Sequence, residues 1–140
     1  AHSLGSLATL HAAARGLPVK RLALIAPSSP PAQFMAWFAH SFGLPASLAE
    51  RMQRQIEHRE GVPLAEYEAG WLGPRVAQPT LLLHDEADRI APFAASRRLA
   101  QALTAARLEP HGGLGHRRIL DDGAVADAVA AHLRAVPASG

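Results

Sequence analysis

The chain has 140 residues, no cysteine, and 14 Lys+Arg against 12 Asp+Glu for a formal net charge of +2. That length fits one domain with a sizeable core, and the missing cysteines exclude a disulfide framework and thiol chemistry. Arginines occur singly or in pairs (Arg97-Arg98, Arg117-Arg118) with no basic run and no interleaved aromatics, which argues against a nucleic-acid partner.

The chain opens on Ala1-His2-Ser3-Leu4-Gly5-Ser6, a serine between small residues with helix-forming sequence directly after it. This is the pattern of a nucleophile elbow, a sharp strand-to-helix turn that holds a serine above a sheet. Such a turn crowds the backbone, so Ala1 and Gly5, two positions either side of Ser3, are expected to be small from need. Leu7 to Ala14 then supplies good helix formers. Val19 to Pro27 reads as a buried strand after the Gly16-Leu17-Pro18 break, and Ser28-Ser29-Pro30-Pro31 punctuates the chain.

From about Ala32 to Leu72 no strand-like run occurs. Gln33 to Phe42 predicts an aromatic-rich helix. Ser47 and Glu50 form the Ser-x-x-Glu capping box of a second, with Leu48, Met52 and Ile56 on one face. Leu64 to Trp71 predicts a third, ended by Gly73-Pro74. Gln78 to His84 restarts the strand pattern, Pro92 to Leu103 is helical, and Arg107 to Pro110 is a short strand leading into the turn His111-Gly112-Gly113-Leu114-Gly115-His116. Gly123 to Val136 predicts an amphipathic helix opened by Asp121 and Asp122, with Val125, Val129 and Leu133 on one side and a frayed tail beyond. Strands alternating with helices imply βαβ units and a parallel sheet. No apolar run approaches the roughly 18 residues of a membrane span, and no signal peptide is visible, so a cytoplasmic location is expected.

Three chemically complementary residues fall at predicted strand ends. A serine hydroxyl needs a base to take its proton, and an imidazole serves best when a carboxylate orients it. Ser3 lies at the elbow, Asp88 in the acidic loop after Leu81-Leu82-Leu83-His84, and His116 in the glycine-rich turn after the last strand. In a parallel sheet, strand ends of one polarity share an edge, so the three can converge. Each has a plainer reading: Ser3 as a helix cap, Asp88 as a turn residue with Asp85 and Glu86 as competitors, His116 as a surface histidine. His11, His40, His58 and His132 sit on helices without zinc-like spacing, so no metal is expected. His84 reads as the end of a strand.

The order serine, acid, histidine resembles that of the α/β-hydrolases. An aliphatic strand followed by small-x-x-Asp-x-aliphatic-x-Pro matches Leu83 to Pro92, and Gly115-His116 is similar to the family's final Gly-His. The resemblance implies an α/β fold: the C-terminal part of a hydrolase parallel sheet with flanking helices and a helical cap between the family's sixth and seventh strands. Residues 1–31 would carry elbow, helix and strand, 32–74 the cap, and 75–140 the acid and histidine. It implies a serine hydrolase for a small or medium apolar ester-like substrate, with Ser3, Asp88 and His116 catalytic and the Leu4 N–H in the oxyanion hole. His2, Phe34, Trp37 and Phe38 would line the substrate site, and the aromatic cluster would be shared between pocket wall and cap core. No cofactor is implied. The position three before Asp88, usually glycine, is Asp85. The family's first five strands are not in the sequence, which starts at Ala rather than Met, so a piece of a longer enzyme is expected. The alternative is a non-catalytic half-domain or interaction module that retains the triad residues, with self-association through its uncovered edge.

Overall fold

The computed structural model describes residues 1–135, so the sequence's tail from Val136, including the expected frayed end, lies outside the described residues. Three parallel strands, β1 (Leu22–Ile25), β2 (Thr80–Asp85) and β3 (Ala106–His111), form a sheet in the order β1-β2-β3. Leu22 pairs with Thr80 and Thr80 with Ala106. β1 starts three residues later than the apolar pattern suggests. Leu22 N–H bonds the carbonyl of Pro79, and Pro79 has no N–H to extend the ladder.

β2 explains why the sheet is covered on both faces. Side chains alternate along a strand, and here both sets are apolar. Leu82 packs with Leu7, Leu10 and Ala13 of α1 (Leu4–Ala14), Leu22 and Leu24 of β1, and Leu99 of α5 (Phe93–Ala102). Leu81 and Leu83 face the other way, onto Ile119 and onto Val125 of α7 (Gly123–Arg134). Asp122 caps α7 by accepting the Val125 N–H at 3.0 Å. Leu133 of that helix is exposed, unlike Val125.

Between β1 and β2 lies a helical insertion. α2 (Pro31–Ser41) buries only Met35 and Ala39, and α3 (Ala46–Glu60), which packs on α2, buries nothing. The expected capping box is absent. Pro45 enters the helix, Ser47 lies inside it, and no side chain caps the end. The expected third helix is also broken. Leu64–Tyr67 and Gly73–Arg75 are single 3₁₀ turns around α4 (Ala69–Leu72), with Glu68 extended between them. Leu64, Leu72 and Val76 are all buried, so this segment follows the core surface rather than one helical face. Gly73 is required there, because a Cβ would collide with the Ala102 carbonyl.

Candidate functional site

Ser3 is held where a parallel ladder turns into a helix. His2 bridges to Ile25, Ala1 accepts the Ile25 N–H at 2.8 Å, and Ser3 N–H bonds the Ile25 carbonyl at 3.0 Å. α1 begins at the next residue. The turn forces Ser3 to φ 53°, ψ −127°, a conformation that costs a non-glycine residue about 1–3 kcal/mol and persists only where surrounding structure imposes it. The expected crowding at Gly5 is not found. Gly5 faces outward on α1, and an added Cβ would meet nothing within 4 Å.

His116 stands on α6 (Gly115–Arg118), not in a loose glycine turn as the sequence suggests. Its Nε2 lies 3.0 Å from Ser3 Oγ and its Nδ1 2.7 Å from Asp88 Oδ2. A carboxylate only accepts, so Nδ1 carries the ring proton and Nε2 is free to accept the serine O–H. Asp88 Oδ1 accepts the N–H groups of Ile90 (2.8 Å) and Ala91 (2.9 Å). Burial pushes the Asp88 carboxyl up, but the Ala91 N–H, His116 and the Ile90 N–H outweigh it and hold the group below the usual carboxylate range.

Asp85, a competitor by sequence, is occupied elsewhere. Its oxygens accept the N–H of Ala87 at 2.8 Å and of Leu114 at 2.6 Å, which ties the histidine segment to the end of β2. Burial raises its pKa, and the N–H groups of Gly115, Leu114 and Ala87 more than reverse that. Arg118 braces the same segment through the carbonyls of Leu114 (3.0 Å) and Gly113 (2.9 Å). His2 Nε2 lies 2.9 Å from the His116 carbonyl, with the two rings 4.7 Å apart. His2 therefore contacts His116 at both its backbone carbonyl and its ring. Leu4 is the first residue of α1, so its N–H is among those a helix leaves without an internal partner.

A cleft of about 460 Å³ opens beside His116, lined also by Asp85, Arg89, Ile90 and Arg117. Phe34, Trp37 and Phe38 do not line it. The Phe34 ring lies tilted against those of Trp37 and Phe38 along α2, with Phe34 and Trp37 more than half exposed. The residue that sequence reasoning passed over is His84. It is buried on β2 four positions before Asp88, with Nε2 3.3 Å from Asp88 Oδ2. That spacing was the one signal in the sequence that pointed to it.

No helix among the described residues is long and apolar enough to cross a membrane. No curated protein matches the chain significantly. Among solved structures, it is similar to a candidate non-heme bromoperoxidase (BpoC) of Mycobacterium tuberculosis. Identity is 16%, TM-score 0.62, and the match covers 94% of this chain and 64% of that one. It is also similar to the 2-hydroxy-6-oxo-6-phenylhexa-2,4-dienoate hydrolase of a Rhodococcus strain, with 19% identity, TM-score 0.64, and coverage of 96% and 62%. A monoacylglycerol lipase of Paleococcus ferrophilus matches at 23% identity and TM-score 0.58, with coverage of 91% and 62%. The chain thus spans under two thirds of the length of these proteins. The family described as TAP-like protein matches residues 68–138, half of the sequence, including Asp88 and His116. The fold and this match agree: the chain belongs to the TAP-like family of α/β-hydrolases.

Proposed function

We propose that this chain carries the nucleophile, acid and base of a serine hydrolase acting on a small or medium apolar ester-like substrate. One observation supports this above all: the unbroken chain from Ser3 Oγ through His116 to Asp88, at 3.0 and 2.7 Å, ending on a serine at positive φ. His116 Nε2 takes the Ser3 proton as Oγ attacks a carbonyl carbon, and the tetrahedral oxyanion forms against the Leu4 N–H. Asp88 stays ionised and stabilises the imidazolium. The imidazolium then gives its proton to the leaving alcohol, which leaves an acyl-serine. Water, deprotonated by His116, releases the acid and restores Ser3. Nothing in this sequence of steps calls for a metal or an organic cofactor.

Residues 1–31 and 75–140 form the core in this reading, and residues 32–74 form a cap. The exposed aromatic side chains of Phe34 and Trp37, with Phe38 beside them, supply an apolar wall when a substrate sits under α2. The similar solved proteins include a lipase and a hydrolase, which favours carbonyl chemistry here as well. The test is labelling by a fluorophosphonate in the longest natural protein containing this chain. Ser3→Ala is expected to abolish labelling, and persistent labelling overturns the assignment. A native protein that never labels favours the inert half-domain instead.

A further inference from the structure

We propose that His84 is a positioning residue for Asp88: its Nε2–H, bonded to the Ala91 carbonyl, also faces Oδ2, and Ser96 holds the ring in the orientation that makes this contact possible. The inference rests on the reading of Asp88 as the acid partner of His116. His84 and Ser96 are both fully buried. Nε2 lies 3.0 Å from the Ala91 carbonyl and 3.3 Å from Asp88 Oδ2, and both of these groups only accept. Nε2 therefore carries the proton. Nδ1, 2.7 Å from Ser96 Oγ, must then accept the Ser96 O–H. The Phe93 ring meets the imidazole edge-on with centroids 5.6 Å apart and closes the remaining side.

Packing alone does not account for this arrangement. The neighbouring buried positions of β2 are Leu81, Leu82 and Leu83, and another leucine would fill space without needing buried polar partners. Instead two histidines from different segments converge on one carboxylate oxygen, at 2.7 and 3.3 Å. The groups acting on the His84 ring are Asp88, Asp85 and His116 by charge, and Ser96 and Phe93 from α5. Burial lowers its pKa, against the opposing pull of the Ala91 carbonyl and Asp88. A neutral donor is what this position needs. It orients Oδ2 without placing a second cation beside His116, which would compete for the same negative charge.

Ring ¹⁵N NMR of the intact protein reads the arrangement directly. A neutral His84 with its proton on Nε2 is expected at pH 7, and a proton on Nδ1 overturns the proposal. Ser96→Ala and His84→Phe then report what the contact does. Both are expected to move the low-field His116 Nδ1–H resonance downfield, because the donor facing Oδ2 is removed in His84→Phe and is no longer held in place in Ser96→Ala. Both are expected to slow fluorophosphonate labelling about tenfold, within the range that small misplacements of catalytic groups produce. Ser96→Ala removes only one hydroxyl, so it decides the matter if His84→Phe fails to fold. An unmoved resonance and an unchanged labelling rate in Ser96→Ala overturn the role of His84 and leave the triad standing. Native protein that does not label, but shows the expected tautomer and resonance shift, overturns the Ser3 reading and leaves the His84 contact standing.

Discussion

Asp88→Asn probes the site with almost no change of shape. The native side chain is fully buried and accepts three hydrogen bonds, from the Ile90 and Ala91 N–H groups on Oδ1 and from His116 on Oδ2, with His84 Nε2 3.3 Å from Oδ2. An amide has one acceptor oxygen, and the two fixed backbone donors claim it. The amide NH₂ then points at His116 Nδ1, which can no longer carry a proton. The ring proton moves to Nε2, facing Ser3 Oγ, and the imidazole loses its capacity to accept from the serine. In a triad, this wrong-tautomer effect costs about 10⁴-fold in rate, or about 5.5 kcal/mol of barrier. The His84 Nε2–H would also face a donor, so some thermal stability is lost as well. The assay is the second-order rate of fluorophosphonate labelling at pH 8, with circular dichroism to show that the variant is folded. A folded variant that labels within tenfold of the native rate refutes the assignment of Asp88 as the orienting acid.

Stability should fall in acid in two stages. Asp85 and Asp88 have folded pKa values below their unfolded value of about 3.9, so their contribution is complete above that pH and is lost as pH drops below it. His84 is held neutral in the fold and binds a proton on unfolding below about pH 6.5, so a shallower decline begins there. Thermal unfolding from pH 8 to 3 checks both stages, and Asp85→Asn should flatten the lower one. Leu82→Ala opens a cavity where β2 meets α1 and α5 and should cost about 2–5 kcal/mol by chemical denaturation. The glycines offer a paired test in the same assay. Gly73→Ala should destabilise by about 1–3 kcal/mol through the collision with Ala102, whereas Gly5→Ala, in open space on α1, should stabilise by about 0.4–1 kcal/mol.

The sheet was legible in the sequence because β2 is apolar on both faces, and a run such as Leu81-Leu82-Leu83 leaves few alternatives to a covered parallel strand. The convergence of Ser3, Asp88 and His116 was legible for a topological reason: Asp88 and His116 follow parallel strands, and Ser3 follows a bridge that pairs with β1 in the same direction. The supports of the site were not. Asp85 looked like a rival acid because its partners, the N–H groups of Leu114 and Gly115, lie about thirty residues away and carry no side-chain signature. His84 looked like a strand end because Ser96 meets it only after α5 folds back on β2. The Ser47 box failed because Pro45, with its fixed φ, already opens the helix at Ala46.

Anchoring in this molecule is distributed unevenly, and under the proposed function that distribution sets substrate range apart from chemistry. The Asp88 carboxylate accepts three hydrogen bonds and faces His84, the histidine segment is braced by Asp85 and Arg118, and Ser3 is pinned to β1 by its own N–H. The insertion is anchored chiefly at its C-terminal root. Glu66 takes His11 (2.8 Å) and Arg15 (2.7 Å) from α1, and its carboxyl is held below the usual range first by the His11 hydrogen bond and then by Arg15. Glu68 takes Gln33 at 3.1 Å, and Gln33 takes Arg98 at 3.0 Å, so one polar chain links this root to α2 and α5. Beyond these anchors α3 buries no residue and contributes nothing to the two core clusters. Substitutions on α2 and α3 can therefore reshape whatever lies under them while the distances among Ser3, His116 and Asp88 stay fixed by the sheet.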